Sequence, residues 1–486
     1  MSEATDDIAA AIPRVSADAA LVALFGTNVY AIGGRIRDAL IAYTHDRAAP
    51  EPKDLDYVIT GHTLPQVVAA LQGIGAKVDS VGASFAVLKV TMDGTTIDVA
   101  LPRREQSTGS GHRDFAVDFG PEISIEDDAL RRDFTINALG LQLADQRIVA
   151  PAGALDDLRH GIIRAITEFS FDDDPLRMLR AAQFASRLDF TIEPGTFAQM
   201  QGKAAAIRHC APERIRDELI KLLEKSRRPS LGMNLLRDSG LLAHVLPELG
   251  ESVGVVQNRH HAFDVWDHVM AALDASAAAG HDLTTRTAVL LHDVAKPRTA
   301  AARADGEGNT FYSHEIVGAE MTEDILRRLR FSEDFIGNVR LAVREHMYAT
   351  RDSDGRELSD AAVRRFIRRV GLDNIDRQFA VRRADRLGRG DKSEDSSPHD
   401  EAFAQRVRDV LSRRTPISLK ELPVTGEDVI DALVQHGLQP AGYRGGRDVG
   451  QILERLLELV IENPEHATRE SLLASCEAMV REMRDE

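Results

Sequence analysis

The runs Tyr30-Ala31-Ile32-Gly33-Gly34-Arg35-Ile36-Arg37-Asp38 and Asp54-Leu55-Asp56-Tyr57 decide the fold of the amino-terminal part of this chain. Carboxylates at positions i and i+2 of an extended segment point to the same side, so Asp54 and Asp56 can bind divalent cations together. Such cations neutralise and orient a nucleoside triphosphate, which makes nucleotidyl transfer the leading hypothesis. Glycine pairs and Asp-x-Asp triplets are also common in solvated turns, so the hypothesis depends on the residues that follow.

The composition indicates a large globular protein in a reducing compartment. At 486 residues, 43% of them hydrophobic, the chain is expected to form about three or four domains in series. The two cysteines, Cys210 and Cys476, exclude a disulfide framework and a cysteine-rich zinc site, which favours a cytoplasmic protein. The acidic amino terminus is unlike a targeting peptide, and no run approaches the ~18 apolar residues of a membrane span, so no membrane partner is expected.

The formal net charge of −17 argues against a protein that coats nucleic acid by bulk electrostatics. Any nucleic-acid partner must therefore meet a local basic surface. Paired arginines between residues 100 and 230 can form one, although such pairs are also typical of solvated helix faces. The pairs are Arg103-Arg104, Arg131-Arg132, Arg177 with Arg180, Arg214 with Arg216, and Arg227-Arg228.

Two kinds of secondary structure divide the chain. From residue 28 to about 149, β-rich runs bounded by Gly, Asp or Pro alternate with helical segments, which predicts an α/β domain. After residue 155 helical periodicity dominates, with prolines at the starts of helices over 175–187, 212–224 and 229–236. Polar stretches at 301–309 and 388–398 are predicted to be a loop and a linker. Boundaries near 160, 250 and 395 give expected domains over 1–160, 161–250, 251–395 and 396–486.

More runs follow the glycine turn and the aspartate pair in order. They are Asp98-Val99-Ala100 with Pro102-Arg103-Arg104-Glu105, Arg131-Arg132-Asp133-Phe134-Thr135-Ile136-Asn137-Ala138, Asp173-Asp174-Pro175-Leu176-Arg177-Met178-Leu179-Arg180, and Pro212-Glu213-Arg214-Ile215-Arg216-Asp217-Glu218-Leu219. With them, residues 29 to about 225 resemble the class II tRNA nucleotidyltransferases, the CCA-adding enzymes, and their relatives the bacterial poly(A) polymerases. The resemblance implies an α/β nucleotidyltransferase head of the DNA polymerase beta type, followed by all-α neck, HD and tail domains.

The resemblance also implies how the head would act. Asp54 and Asp56 would hold two Mg²⁺ ions, one that activates the 3′-hydroxyl of the RNA and one that bridges the triphosphate. Asp98 matches a third carboxylate near the first ion, and the alternative is a strand-end aspartate with a structural hydrogen bond. The amides of Gly33 and Gly34 can approach phosphate because glycine has no Cβ.

Further nucleotide-binding candidates come from the matched runs. Arg37, with Asp38, matches positions that brace the triphosphate. Arg132, Asp133 and Asn137 resemble residues that contact the ribose and triphosphate, with a purely structural role for this run as the alternative. Two more matched positions are Arg180 and Arg214.

Asp174 and Arg177 can explain the choice of base, because they are three residues apart and are predicted to share one helical face. Cytosine and adenine both offer an exocyclic amino donor beside a ring-nitrogen acceptor, whereas uracil and guanine present the reverse pattern. A fixed carboxylate and guanidinium match the first pattern, so the protein itself would act as the template. The alternative is an ordinary i,i+3 salt bridge.

Two connecting segments bear on the resemblance. The segment from Ala39 to Lys53 is longer than the compact loop expected in the family and is predicted to bulge at the surface beside the triphosphate turn. The stretch from Gln106 to Leu130 is long enough for the flexible loop associated with adding the final A, which favours full CCA addition.

A second set of possible metal ligands follows in the order His, His-Asp, His, His, Asp, which resembles the HD superfamily of metal-dependent phosphohydrolases. His268, His292, Asp293 and Asp385 match its core ligand set, and His314 and His346 match positions that complete a two-metal site in some members. Imidazoles and carboxylates suit Mn, Ni, Fe or Zn. The implied reaction is hydrolysis of a 2′,3′-cyclic phosphate or a terminal phosphate on damaged RNA. His260 and His261 are either loop residues or contacts for substrate phosphate.

The resulting hypothesis is template-independent addition or repair of the 3′-terminal CCA of tRNA from CTP and ATP, with an additional HD phosphohydrolase activity. The alternatives are a poly(A) polymerase, an enzyme that adds only CC or only A, and an HD phosphohydrolase whose head binds RNA without transferring nucleotides. A noncatalytic RNA-binding scaffold would not need both carboxylate sets. The helical tail is expected to help place the tRNA elbow, and an oligomer is compatible with the sequence.

Overall fold

The fold is described from a computed structural model, which covers residues 9, 11–46, 51–52, 54–80, 87–107, 115–257, 262–304, 308–390 and 397–485. The chain forms two compact units. The first contains the residues up to 250 together with 328–330, and the second contains residues 251–327 and 331–486. In the part of the chain that the structure describes, no helix has both the length and the apolar character that crossing a membrane requires.

The first unit begins with a seven-stranded sheet that has the order β3-β4-β5-β2-β1-β8-β9. Its strands are β1 (Val29–Ile32), β2 (Asp56–Ile59), β3 (Lys77–Ser80), β4 (Val87–Met92), β5 (Thr95–Ala100), β8 (Gly140–Gln142) and β9 (Arg147–Val149), while β6 (Arg103–Ser107) and β7 (Phe115–Phe119) form a separate hairpin. The accompanying helices are α1 (Ser16–Phe25), α2 (Gly34–Thr44), α3 (Leu64–Gly73), α4 (Ile125–Leu130) and α5 (Ala154–His160). This sheet and its helices form the predicted α/β head.

One pairing in this sheet differs in direction from the others. Strand β2 pairs in parallel with β5 and antiparallel with β1, and the remaining neighbours are antiparallel. The register of the parallel pair places Asp56 opposite Asp98, and the amide of Asp98 donates to the carbonyl of Leu55 at 2.9 Å. Neighbouring residues in register lie on the same face of a sheet, so two carboxylates meet at this edge of the parallel pair.

The rest of the first unit is helical. It contains α6 (Ser170–Asp173), α7 (Leu176–Leu188), α8 (Pro194–Lys203), α9 (Pro212–Lys225), α10 (Pro229–Asp238), α11 (Leu242–Val245) and α12 (Pro247–Gly250), with a parallel pair of short strands, β10 (Ile162–Ile163) and β11 (Thr191–Ile192). The central helix is α7, which packs against α9 and α10. Proline stands at the N-cap of α7 and begins α9 and α10, as the sequence predicts.

The second unit is almost entirely helical. Its helices are α13 (Val265–Ala278), α14 (Leu283–Leu291), α15 (Lys296–Thr299), α16 (His314–Arg328), α17 (Glu333–Arg344), α18 (Asp360–Val370), α19 (Ile375–Leu387), α20 (Ser397–Ser412), α21 (Gly426–Gln435), α22 (Arg447–Glu462) and α23 (Arg469–Asp485). Side chains of Asp264, Asp282, Ser332 and Ser359 cap the starts of α13, α14, α17 and α18. Helix α13 packs against α14 and α19, and α14 packs against α17.

Two predictions about connecting segments were wrong. The segment from Ala39 to Lys53 is not a surface bulge over its whole length, because α2 continues to Thr44 and buries Ala39 through Ala42. The burial of these four apolar side chains therefore accounts for the continuation of the helix past Asp38. The stretch at 301–309 is not a loop over its whole length either, since its two ends form a short hairpin in which β12 (Ala301–Ala302) pairs with β13 (Asn309–Thr310).

A buried ion pair fastens three elements of the head together. Both guanidinium nitrogens of Arg35 on α2 donate to Asp18 on α1, at 2.9 and 2.6 Å, and the hydroxyl of Tyr57 on β2 donates to the same carboxylate at 2.7 Å. All three side chains are buried. Burial alone would raise the pKa of Asp18, but hydrogen bonds from Arg35, the amide of Val15 and Tyr57 outweigh it and lower the pKa. Tyr57, the residue after Asp56, therefore anchors strand β2 to the buried ion pair of Asp18 and Arg35.

This anchoring generates a stability prediction. We expect Asp18→Asn to lower the free energy of unfolding by about 3–5 kcal/mol, because it leaves the Arg35 charge buried without a counter-charge. Denaturant titration followed by circular dichroism would measure the change. Asp79→Asn is the matched control, since its ion pair with Lys77 is exposed and should contribute about 0–1 kcal/mol. A loss for Asp18→Asn no larger than the control's would contradict the prediction.

The same variant predicts a pH dependence. Because folding lowers the pKa of Asp18, its stabilising contribution is present above the unfolded pKa of about 3.9 and is lost as pH falls through the folded pKa. The stability difference between wild type and Asp18→Asn should therefore be constant near neutral pH and shrink below about pH 4. Repeating the titrations between pH 3 and 7 tests this.

Candidate active sites

The first candidate site begins with three carboxylates at the edge of the parallel strand pair. Asp56 opens β2, Asp98 lies opposite it on β5, and Asp54 is two residues before Asp56. The pKa of Asp56 is raised, first by burial and then by the negative charges of Asp98 and Asp54, while Arg132 acts in the opposite direction. Carboxylates that repel one another in this way have the oxygen donors and the negative charge that a hard divalent cation requires, so the group fits Mg²⁺.

The glycine turn fits closely against these carboxylates. Gly33 has φ +78°, and a Cβ at this position would lie 2.7 Å from Oδ2 of Asp56. Both the backbone conformation and the space therefore require glycine. Gly34 begins α2, so the unpaired amides and the positive end of the helix dipole are placed beside Asp56. This arrangement suits phosphate oxygens.

A cleft of about 550 Å³ in the first unit collects the remaining nucleotide-binding candidates. All ten residues predicted from the sequence line it, namely Gly33, Gly34, Arg37, Arg132, Asp133, Asn137, Asp174, Arg177, Arg180 and Arg214. Six residues that were not predicted to bind nucleotide also line it, namely Arg131, Leu176, Phe184, Asp217, Glu218 and Lys221. Seven of the lining residues are basic and four are acidic, so the cleft has a positive excess in a chain with net charge −17.

Asp133 organises one wall of the cleft. Its carboxylate accepts hydrogen bonds from the amide of Phe134 at 2.8 Å, from Asn137 at 3.0 Å and from Arg180 at 2.9 and 2.7 Å. Burial would raise the pKa of Asp133, but Arg180, Asn137 and the Phe134 amide outweigh it and lower the pKa. Arg37 in turn donates to Oδ1 of Asn137 at 2.7 Å. A continuous network thus holds Arg37 and Arg180.

Asp128, which sequence reasoning missed, supports the opposite pair of arginines. It is fully buried on α4 and forms ion pairs with Arg131 at 2.7 Å and Arg132 at 2.9 Å. Burial would raise the pKa of Asp128, but the charges of Arg131 and Arg132 outweigh it and lower the pKa. The spacing Asp128, Arg131, Arg132 was a usable signal, because i,i+3 and i,i+4 neighbours meet at a helix surface.

The predicted common helical face of Asp174 and Arg177 was wrong. Helix α7 begins at Leu176, and Asp174 lies before it in an extended conformation, since Pro175 disfavours helical geometry in the preceding residue. Asp174 forms a two-point ion pair with Arg214, at 2.7 and 3.3 Å. Arg177 instead donates to the backbone carbonyls of Arg131 and Ser170. Both groups are nevertheless fixed and line the same cleft.

The second candidate site lies in the second unit and gathers the six predicted ligands of the HD type. His268 is on α13, Asp385 is on α19, His314 begins α16, His292 and Asp293 follow α14, and His346 follows α17. All six side chains are buried. Two groups within it have metal-ligand spacing, namely His268 with His292 and Asp293, and Asp293 with His314 and His346.

Asp293 lies between the two groups. Its Oδ2 is 3.3 and 3.1 Å from Nε2 of His268 and His292, and its Oδ1 is 3.4 and 3.9 Å from Nε2 of His314 and His346. Oδ1 of Asp385 is 3.1 Å from Nε2 of His268. One carboxylate therefore offers a separate oxygen to each histidine pair, which fits a centre of two metal ions.

The orientation of the histidines supports the same fit. The Nδ1 atoms of His292, His314 and His346 lie 2.7, 2.7 and 2.6 Å from backbone carbonyls. In the neutral ring Nδ1–H donates to each carbonyl, which leaves the lone pair of Nε2 directed into the cluster. Burial, together with the charges of His292 and His314, lowers the pKa of His346 to about 3, which favours the neutral form that a metal ligand requires. His260 and His261 lie outside the described residues.

Three known sequence families match successive parts of this chain. Residues 29–164 match the sequence family described as the poly A polymerase head domain, and residues 189–252 match a probable RNA and SrmB-binding site of polymerase A. Residues 265–390 match the HD domain family.

Two curated relatives match this chain over two thirds of its length or more, and both are multifunctional CCA proteins. The multifunctional CCA protein of Ralstonia nicotianae is 37% identical over 334 residues, which are 67% of this chain and 73% of that protein. The multifunctional CCA protein of Cupriavidus pinatubonensis is 34% identical over 388 residues, 76% of this chain and 87% of that protein.

Solved structures share the fold. The CCA-adding enzyme of Bacillus stearothermophilus in complex with CTP has a TM-score of 0.65 at 20% identity and covers 96% of this chain and 98% of its own. The Thermotoga maritima CCA-adding enzyme complexed with tRNA has a TM-score of 0.55 at 19% identity, covering 98% of both chains.

The bridging position of Asp293 predicts the metal stoichiometry of the second unit. In an Asp56→Asn background, which weakens cation binding in the head, we expect two Mn²⁺ ions per chain after loading and desalting. Asp293→Ala should lose both ions because it removes one carboxylate oxygen from each histidine pair, whereas His346→Gln should retain one. Elemental analysis measures the content, and His466→Gln, which lies in the tail, is the control. Full loading of Asp293→Ala would contradict a bridging carboxylate.

Proposed function

The chain belongs to the multifunctional CCA protein family, and we propose that it adds or repairs the 3′-terminal CCA of tRNA from CTP and ATP without a nucleic-acid template. One observation carries the proposal for the head. Ten separately predicted nucleotide-binding residues line a single basic cleft, and the glycine turn of that cleft lies against Asp56.

In this proposal Asp54 and Asp56 hold Mg²⁺, with Asp98 as the third carboxylate beside them. The bound ions supply charge neutralisation and activation of the RNA 3′-hydroxyl. The amides at the start of α2 and the guanidinium of Arg37 bind the triphosphate, and Arg132 stabilises negative charge on the departing pyrophosphate. The positions of Gly33 beside Asp56 and of Arg132 near the carboxylates support these assignments.

Asp174 and Arg177 read the base in this proposal. Asp174 accepts from the exocyclic amino group of cytosine or adenine, and Arg177 donates to the ring nitrogen beside it. Arg214 is the residue that orients Asp174, because it occupies both carboxylate oxygens from one side. The backbone carbonyls of Arg131 and Ser170 orient Arg177 in the same way. Fixed groups of this kind reject uracil and guanine, since a reversed donor pattern leaves polar groups unpaired.

The second unit is proposed to hydrolyse phosphate esters. His268, His292, Asp293 and Asp385 hold one transition-metal ion, and His314, His346 and the other oxygen of Asp293 hold a second, with Mn, Ni, Fe and Zn as candidates. The bound ions supply an activated water for attack on phosphorus. A substrate with a 2′,3′-cyclic or terminal phosphate would complement the head. Hydrolysis of the cyclic diester leaves a 2′- or a 3′-phosphomonoester, and the 3′-hydroxyl that extension requires is free when the P–O3′ bond is cleaved or when a 3′-phosphate is then hydrolysed. A cytoplasmic site of action accompanies this proposal.

Stepwise extension of tRNA tests the head. Three transcripts, which end before CCA, after C and after CC, are each offered one NTP at a time with Mg²⁺. With CTP the first should gain two C residues and the second one C, with ATP the third should gain one A, and no product should be longer than CCA. We expect Asp56→Asn to reduce every addition at least about 10³-fold, because metal-assisted positioning and charge neutralisation are lost, while Asp79→Asn on the same sheet stays near wild type. Product length on a gel measures this. A long A ladder would instead indicate a poly(A) polymerase, and a stop at CC a split activity.

Reciprocal variants test whether the two activities belong to separate sites. Asp293→Ala should abolish hydrolysis of 2′,3′-cyclic AMP in the Mn²⁺-loaded protein and retain CCA addition, whereas Asp56→Asn should show the opposite pattern. Each prediction follows from the ligand sets, which share no residue. Release of the 2′- or 3′-monophosphate is followed by chromatography. Full hydrolysis by Asp293→Ala would remove the proposed second activity from this metal cluster.

A further inference from the structure

The ring of Phe184 contacts two cations of the nucleotide cleft. The guanidinium carbon of Arg37 lies 5.1 Å from the ring centroid, and that of Arg180 lies 5.3 Å from it. The ring is 6% exposed and lines the cleft, and it packs edge-on against Phe134 with centroids 6.0 Å apart. A buried aromatic ring is therefore fixed beneath two groups that are proposed to bind nucleotide.

The two arginines come from different parts of the first unit. Arg37 is in the first turn of α2, directly after the glycine turn, whereas Arg180 is on α7, one turn before Phe184. The i,i+4 spacing of Arg180 and Phe184 places both on one face of α7. Phe184 thus joins the helix that begins at the triphosphate turn to the helix that follows the base-reading residues.

Hydrogen bonds fix the same arginines from other directions. Arg37 donates to Asp38 and Asn137, both at 2.7 Å. Arg180 donates to Asp133 and, at 3.4 Å, to Glu218. The carboxylates among these partners offset positive charge in the cleft. The face of Phe184 attracts a guanidinium through its quadrupole and carries no charge, so it can orient both groups without neutralising them.

We propose that Phe184 is a positioning residue for triphosphate recognition, one that holds Arg37 and Arg180 in the orientation that binds phosphate oxygens. A guanidinium held over an aromatic ring is restrained in position, while its N–H groups can still form paired bonds to phosphate. Without the ring, each long side chain would lose orientation before nucleotide binds and would have to be ordered by the nucleotide. This inference rests on the proposed nucleotide function of the cleft.

Loss of the Phe184 ring should affect triphosphates and monophosphates differently. Arg37 stands beside the helix start that receives the triphosphate, so loss of the ring should weaken binding of a triphosphate more than binding of a monophosphate with the same base. A general loss of packing would weaken both ligands alike. The ratio of CTP affinity to CMP affinity therefore distinguishes positioning from a purely structural role.

Calorimetric titration of the full chain with CTP and with CMP, in Mg²⁺ and without tRNA, tests the inference. Phe184→Leu should weaken CTP binding about tenfold, a loss of about 1.4 kcal/mol, and CMP binding less than about twofold. Phe184→Tyr retains the aromatic face and should stay within about twofold of wild type for both ligands. Equal weakening of CTP and CMP by Phe184→Leu, or no weakening of CTP, would overturn the proposal.

Two further variants keep the test decisive. Phe184→Met also removes the aromatic face but leaves an unbranched, flexible side chain that can fill the space differently from leucine. It should reproduce the selective loss, and thermal melting of both variants identifies a folding defect that is specific to one of them. Phe190→Leu is the matched control, because Phe190 is also buried in the first unit but does not line the cleft. It should leave the CTP to CMP ratio unchanged. Because the ratio is measured without RNA, failure of CCA addition in the wild type would not be confused with failure of this inference.

Discussion

The constraint on which the head depends is the repulsion among three carboxylates that must stay together before any cation arrives. Asp56 and Asp98 are held opposite each other by the parallel register of β2 and β5, and backbone hydrogen bonds resist their separation. Behind them, Tyr57 fastens β2 to the buried Asp18–Arg35 pair. Burial, followed by the charges of Asp98 and Asp54, raises the pKa of Asp56, and a divalent cation bound beside these carboxylates would oppose that rise.

The candidate metal cluster of the second unit is held together differently, because its two carboxylates lie beside histidines and not beside one another's charge alone. Its candidate ligands lie on or directly after separate helices, and three of the imidazole rings have Nδ1 beside backbone carbonyls. Asp293 offers one oxygen to each histidine pair, so the carboxylate that follows α14 determines the geometry of both halves. In each unit, rigid backbone elements hold the donors in place before metal binds, which reduces the entropy lost on binding.

The sequence predicted those parts of the site that depend on short-range spacing or on whole motifs. The Asp54–Asp56 pair, the glycine turn and the six candidate ligands of the HD type could be proposed from the sequence because each occurs in an ordered run. The α/β head with a helical remainder was confirmed. The helical face assigned to Asp174 and Arg177 was wrong because Pro175 sets the backbone before it. Phe184 was missed because its importance arises from a tertiary contact with Arg37, which no local pattern encodes. Asp128 was missed although its i,i+4 spacing from Arg132 was a usable local signal.

The pairing of Asp174 with Arg214 has a consequence for the order of addition. A carboxylate gripped at both oxygens stays in one place, so every incoming nucleotide meets the same acceptor and the same guanidinium. In the proposed reaction, cytosine and adenine present the same donor and acceptor to Asp174 and Arg177, so this pair would accept both bases and could not by itself decide which of them is added next. The order of the added nucleotides must then depend on the length of the growing RNA 3′ end. The protein would limit the choice to C and A, and the primer would determine which of the two is added at each step.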